Sequence, residues 1–518
     1  MQYLIEYPMG KQRIENHLKQ IILNVKYEYE EGRMSSLGLV KAIIQKLPIP
    51  LLEEYTQLFF LPLVLQLVND ESKQCREATA ECLSALLKRL SMTVLQALYD
   101  YAVRWSEGDE KELRRTSAQI FGVFVDARLD FVKRGDTAEG LVTRLQKRLD
   151  DEAGSEDRTS ILLGKNWETT YFCLLCIEKV AVRIPATMSG RTELWTSLIH
   201  LLVHPHPWVK HASLRIIYSH VSTLDPRYFV KAKGGRGKSF LVQIDGSLFD
   251  IARNLCHQLN AEEDKQVEEL SNLAIKTLAW TINAMDANPS LCFKGENLEG
   301  VDDDDDDEND SDKDEEGEDR EVEDDETPGT NTDIDNNTLT PHRKSNPVQW
   351  LITRLSNIAK PRGIKRRETI FKCFAAFATR CDATLVTLHL ESMIEPLHRS
   401  LTETSASNRK DIRSMGRGGG NGMNDMTSSD ADIPSEVLEI LEEKCGTEAF
   451  LNAYASVKKK AREKREVRKR EVAAENVRDP EAAAKRKIWK QEKEKRRRKR
   501  RVEGRKASRG VFGKKPRF

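Results

Sequence analysis

Several short patterns in this sequence have residue types that could do chemistry. Ala232-Lys233-Gly234-Gly235-Arg236-Gly237-Lys238-Ser239 has the make-up of a phosphate-binding loop. In such loops backbone N–H groups cradle phosphates, the lysine reaches the outer ones and the hydroxyl holds magnesium. The surroundings do not complete such a site. Ala232 stands where the first glycine usually does, and the preceding Arg227–Lys231 is short and charged rather than a buried apolar strand. Phe240–Ile244 does not read as the helix that should start at the lysine, and no apolar strand ending in an aspartate follows. The reading is a basic glycine-rich loop between helices, able to touch nucleic-acid phosphates but not to hydrolyse a nucleotide.

Cys173-x-x-Cys176 has the spacing of half a zinc site or of a redox pair, but two further ligands at compatible spacing are missing. The pair lies inside the apolar run Tyr171–Ile177, which favours packing. His204 and His206 alternate within a Pro-rich turn and read as capping and packing groups. There is no nucleophile motif, and no carboxylate pair distinguishable from surface charge. The chain reads as a non-enzyme with no cofactor, no metal and no small-molecule substrate.

The strongest chemical signal is basic. Lys495-Arg496-Arg497-Arg498-Lys499-Arg500-Arg501 is an unbroken run of cations, and Lys485-Arg486-Lys487 precedes it. Together they form a nuclear-targeting pattern, and they can neutralise phosphates with release of counterions. These ten residues are the candidate RNA-binding and nuclear-targeting site. Trp489, Phe512 and Phe518 offer aromatic faces for unpaired bases, a weaker signal because three rings are spread over many residues.

Around these patterns the 518 residues carry 83 basic and 83 acidic side chains, a balance that hides strong segregation. Asp302–Glu326 holds 19 acidic and 2 basic residues, net −17, while Lys458–Phe518 holds 28 basic and 9 acidic, net +19. One acidic segment and one basic tail on a near-neutral body point to polyanion contacts. The longest apolar run, Leu58–Val68, contains Pro62 and Gln66 and is too short to span a membrane. The N-terminus has no signal-peptide pattern. The nine cysteines sit mostly at apolar helical positions and read as reduced core residues.

The elements that must position these residues are helical. In Ser72–Leu90 the apolar positions Cys75, Ala78, Cys82, Leu86 and Leu90 step by three and four, one face of a helix. Leu58–Val68 before it is apolar almost all round, and Asn69-Asp70 divides the two, with Asp70 or Ser72 as cap. The helix–turn–helix unit recurs as Leu194–Val203 with the helix opened by Pro207-Trp208, and as Trp350–Ala359 with Ile364–Thr379. Further pairs are His17–Tyr27 with Ser36–Leu47, Thr93–Trp105 with Glu110–Val125, Thr137–Leu149 with Trp167–Val182, and Phe249–Leu259 with Val267–Met285. The second helices share a basic residue followed by small and apolar ones, and Arg76 to Arg114 is 38 residues, close to a solenoid repeat. The pattern predicts an all-α fold, a HEAT/armadillo-like α-solenoid. Phe240–Ile244 is the only candidate strand, or an extended loop.

The expected organisation is a helical repeat array over 1–297, a disordered acidic insertion over 298–347 and helical repeats continued over 348–403. A Gly/Ser-rich linker over 404–432, terminal helices over 433–457 and a basic tail over 458–518 complete it. The tail reads as a solvated helix interrupted near Asn476–Asp479, with Asp479-Pro480 a good helix start.

The C-terminal residues lead to a family. Gly446–Val457 running into Lys458–Arg470, then Asp479–Lys487 and the terminal basic cluster, resemble the end of small-subunit processome component 20, the down-regulated-in-metastasis family. The segments around Phe59-Phe60-Leu61-Pro62, Val68-Asn69-Asp70 and His206–Lys210 are similar to that family's last repeats. The resemblance covers most of the chain outside the acidic and glycine-rich insertions. It implies a nucleolar HEAT-repeat scaffold for early pre-ribosomal RNA processing and small-subunit assembly, with pre-ribosomal RNA and processome ribonucleoprotein subunits as partners. It carries no catalytic motif. Family members are much longer than 518 residues, so the resemblance makes this chain a C-terminal portion; the apolar, uncapped opening Met1–Tyr7 agrees. The competing reading is a HEAT-type nuclear transport adaptor whose acidic segment engages basic cargo, but such an adaptor does not need a long basic tail of its own.

Overall fold

The structure, a computed structural model, describes residues 10–153, 167–230, 239–260, 267–293, 346–360, 364–415 and 429–478, and single positions between 480 and 499. The acidic insertion and the Arg417–Gly422 stretch lie outside the described residues. Among the described residues every regular element is a helix. The chain divides into two compact units, Met1–Asp382 and Ala383–Phe518.

The described residues of the first unit form seven helix pairs. They are α1 (Lys11–Leu23) with α2 (Glu30–Lys46), then, after the short α3 (Ile49–Glu54), α4 (Thr56–Asn69) with α5 (Lys73–Arg89) and α6 (Met92–Glu107) with α7 (Lys111–Ala127). The one-turn α8 (Leu129–Val132) precedes α9 (Thr137–Ala153) with α10 (Trp167–Arg183) and α11 (Thr192–His200) with α12 (Pro207–Val221). After the one-turn α13 (Phe240–Gln243) come α14 (Ser247–Asn260) with α15 (Val267–Ala287) and α16 (Pro347–Ile358) with α17 (Ile364–Arg380). Each second helix packs on the next, α2 on α5, α5 on α7, α7 on α10, α10 on α12, α12 on α15 and α15 on α17. This neighbour-to-neighbour layering is what defines an α-solenoid, in which each repeat buries its apolar face only against its neighbours.

The local causes are visible in the turns. Ser72 accepts the Cys75 N–H and starts α5, and Asn346 accepts the Val348 N–H with Pro347 in the first turn of α16. Pro207 likewise opens α12, where its missing donor costs nothing. The turns are also tied to their neighbours. Arg33 of α2 donates bidentately to Asp70 (3.0 and 3.1 Å), whose side chain is 1% exposed. Arg128 donates to the carbonyls of Leu87 and Leu90, which end α5 and lack partners within their own helix. The core is aliphatic and aromatic: Phe59, Phe60, Phe121, Phe124, Phe371, Phe374 and Phe377 are all fully buried.

One expectation is corrected. Phe240–Gln243 is a helical turn, not a strand or an extended loop. Ser239 caps it by accepting the Leu241 N–H, and the consecutive Phe240 and Leu241 are both buried, which alternation in a strand would forbid. Phe240 stacks on Trp195 at 4.1 Å.

The second unit holds α18 (Ala383–Leu388), α19 (Leu390–Met415), α20 (Ser429–Cys445) and α21 (Thr447–Arg478). Helix α19 packs on both α20 and α21. The unit boundary at Asp382 falls inside the stretch 348–403 read as one run of repeats, and α19 extends to Met415, into the stretch read as linker.

Candidate nucleic-acid interface

Helix α21 begins after Gly446, whose φ of +85° turns the chain out of α20. Its early residues are those of a packed helix. Phe450 and Val457 are buried, seven residues apart and so on one line. Tyr454, between them, meets His398 of α19 edge-on at 5.5 Å and lies beside the Phe450 ring at 5.9 Å. From Lys458 onward the residues are charged, yet the helix continues without a break to Arg478. The sequence divides terminal helices from basic tail at Val457; the structure runs one helix through that point.

At about 100° per residue, the Phe450–Val457 line leaves two flanks on α21. On one, Lys460 pairs with Glu391 (2.5 Å) and Lys464 with Glu395 (3.6 Å), both on α19. Hydrogen bonds from Lys460 and Ser456 hold the Glu391 carboxyl below the usual carboxylate range, and Glu391 in turn raises Lys460. On the other flank lie Lys458 and Arg465, both exposed, and His398 of α19 meets Tyr454 on that side of the helix. Neither cation has a carboxylate within ion-pair distance among the described residues. Burial, then the charges of Arg465 and Lys458, lowers the His398 pKa. Arg462 is engaged along its own helix with Glu466 (3.2 Å).

Of the ten candidate cations, Lys485, Lys495, Arg496 and Lys499 are described, all on helical backbone and exposed. Arg486, Lys487, Arg497, Arg498, Arg500 and Arg501 lie outside the described residues, as do Phe512 and Phe518. Trp489 is 62% exposed. His398, Lys458 and Arg465 were not among the candidates. The seven-residue spacing of Lys458 and Arg465 is in the sequence, but the approach of His398 depends on how two helices cross.

The other patterns resolve as packing. Cys173 and Cys176 on α10 are buried, and burial pushes the Cys176 thiol up. His204 accepts the His206 N–H (3.0 Å), and His206 accepts the Trp208 N–H while stacking on Trp167 at 3.8 Å. Burial lowers His204 to about 4. Lys231–Lys238 lies outside the described residues; Ser239 caps α13 and its Oγ is 3.1 Å from His220 Nε2. No group of side chains suited to holding a metal ion occurs among the described residues. None of their helices is long and apolar enough to cross a membrane.

Comparison with known proteins agrees with this architecture. A family model described as small subunit processome component 20 homolog, C-terminal, matches residues 335–418 and 422–504, and a HEAT-repeat model matches 60–90, the α4–α5 pair. The U3 small nucleolar RNA-associated protein 20 of Schizosaccharomyces pombe is 23% identical over 494 residues, 93% of this chain and 16% of that protein. Its namesake in Saccharomyces cerevisiae is 24% identical over 505 residues, 96% of this chain and 17% of that protein. The chain thus spans less than a fifth of either relative's length. Among solved structures, importin beta aligns with 86% of this chain and 43% of its own at 10% identity and a TM-score of 0.48. A designed armadillo repeat protein aligns with 50% of this chain and 99% of its own at 14% identity and a TM-score of 0.27. The processome-component model on 335–504, the HEAT match on α4–α5 and relatives aligned over nearly the whole chain together make this chain similar to the small-subunit processome component 20 family, most directly over the stretch that the C-terminal model matches.

Proposed function

We propose that this chain is a non-catalytic scaffold segment of the small-subunit processome in the nucleolus. There it supports pre-rRNA processing and small ribosomal subunit assembly, with RNA contacts made by its basic tail. The observation that carries this reading is α21. A helix seated on α19 through Phe450 and Val457 runs on as a charged rod, and the described cations of the tail, Lys485, Lys495, Arg496 and Lys499, are exposed. That arrangement leaves a row of positive charge exposed, as phosphate binding needs and catalysis does not. The names of its relatives, which are associated with a small nucleolar RNA, support the same reading. The helix pairs supply the extended surfaces a scaffold uses to hold proteins and folded RNA in register.

The test is removal of Lys485–Phe518. With about 6–10 phosphates contacted, RNA affinity of the full chain falls by roughly three to five decades between 50 and 200 mM salt. The truncation flattens that dependence and releases the protein from nucleoli, with little sequence preference lost, since lysine and arginine runs read phosphate rather than base edges. Unchanged affinity and salt slope after truncation would move the RNA surface onto the folded body and leave the tail a targeting signal.

A further inference from the structure

The two flanks of α21 are electrically unlike, although the residue types on them are the same. Lys460 and Lys464 are spent on Glu391 and Glu395, and the four side chains hold α21 to α19. Lys458 and Arg465 pair with no carboxylate among the described residues. They stand exposed on the opposite flank, where the His398 ring packs edge-on to Tyr454. The charged groups acting on that imidazole are Arg465 and Lys458 of α21, with the Tyr454 phenol packed edge-on. On its own helix the neighbouring charges are engaged elsewhere, Glu395 with Lys464 and Arg399 with Glu403. A packed helix pair that gathers two cations and an imidazole without a counter-charge is unfavourable by itself, and an anion relieves it.

We propose that His398, Lys458 and Arg465 form a second RNA-phosphate site, built between α19 and α21 and separate from the terminal basic run. It takes two phosphates of a single strand. Lys458 and Arg465 are seven residues apart, about 10 Å along the helix, a separation at which extended side chains meet successive phosphates of one strand. Lys469, four residues beyond Arg465, continues the same flank toward the tail, so one strand can run along the helix and on to the terminal cations. Tyr454 adds an aromatic edge beside the phosphates, where a base can pack. The site rests on the reading that this chain binds RNA, and places part of that binding on folded, pre-organised side chains.

The test uses the full chain, with and without Lys485–Phe518, and a labelled 20-nucleotide single-stranded RNA of mixed sequence, read by fluorescence anisotropy from 50 to 200 mM salt. Lys458→Ala/Arg465→Ala is compared with Lys459→Ala/Arg470→Ala, which removes the same charge from the face pointing away from α19. Two lost single-strand phosphate contacts reduce the salt slope by about 1.4 and affinity by roughly 20-fold at 0.1 M salt. The control pair changes affinity by less than about threefold. The His398 ring resonance, seen with 13C-labelled histidine and assigned by His398→Gln, shifts on RNA addition to the tail-less chain and does not shift in the Lys458/Arg465 variant. Equal losses in variant and control overturn the site while leaving RNA binding by the tail intact. Absence of RNA binding by the full chain overturns the RNA reading itself. If polyglutamate competes at the RNA's affinity and alone moves His398, the flank is a protein-docking surface and the proposal falls.

Discussion

The hydroxyl of Tyr99 tests the packing account most sharply, because it predicts a gain. Tyr99 on α6 is 4% exposed, and its ring packs against Phe121 (5.3 Å), Phe124 (5.5 Å) and Phe131 (5.5 Å). Its Oη is buried and has no hydrogen-bond partner. Burial pushes its phenol well above the ordinary range. A buried hydroxyl without a partner costs about 1–3 kcal/mol by mutational measure. Tyr99→Phe keeps every ring contact and removes that cost, but gives up the packing of one oxygen atom. The net is a stabilisation of about 1 kcal/mol. Because repeat arrays open locally rather than as one cooperative whole, the assay is hydrogen exchange followed by mass spectrometry. Peptides from α6, α7 and α8 should exchange about fivefold more slowly, and those from α14 onward should not change. Faster exchange in α6–α8 would mean that the hydroxyl is bonded in the folded chain, and the account of this cluster would be wrong.

Phe124→Ala, in the same cluster and 0% exposed, should cost about 3–5 kcal/mol, read as lost protection in α5, α6, α7 and α10. Burial lowers His204 and His220 to about 4, from the ordinary imidazole value of 6.5. The unfolded chain therefore binds more protons between those values, so stability is full above pH 6.5 and declines as pH falls toward 4. Trp195, 4.8 Å from His220, reports this in fluorescence melts, and His220→Phe should weaken the pH dependence; a melting point flat from pH 7 to 4.5 contradicts it. Of the nine cysteines eight are buried and Cys445 is partly exposed, so a thiol reagent should modify one equivalent quickly in the native chain and the rest only on unfolding.

The seven helix pairs were legible because an array of stacked pairs must put an apolar stripe on every helix, and stripes with a period near 3.6 are visible residue by residue. What escaped notice had no stripe to show. The one-turn helices α3, α8 and α13 are too short for a period, and Phe240-Leu241-Val242 imitates a strand until Ser239 is seen to cap it. The helical tail, by contrast, was legible without a stripe: alanine, glutamate, lysine and arginine sustain a helix with nothing to pack against, and α21 ends at Arg478, where the interruption near Asn476–Asp479 is expected. The terminal cations were legible as composition. The cluster of His398 with Lys458 and Arg465 was not, since it joins residues about sixty positions apart through a helix crossing that no linear pattern encodes.

The continuity of α21 gives its charges a bearing as well as a position. Thirty-two residues of unbroken helix amount to roughly 48 Å of rod, and its rotation is set where Phe450 and Val457 enter the core. Every side chain beyond inherits that rotation, so Lys469 and Arg470 point in fixed compass directions relative to the folded unit. Length changes in the rod are therefore unequal in effect. One residue inserted after Glu466 would swing Lys469 and Arg470 about 100° around the axis, whereas seven would advance them about 10 Å and return them to within about 20° of their original azimuth. A stretch of simple, highly charged sequence is in this respect as exacting as a core: what fixes its function is its phase.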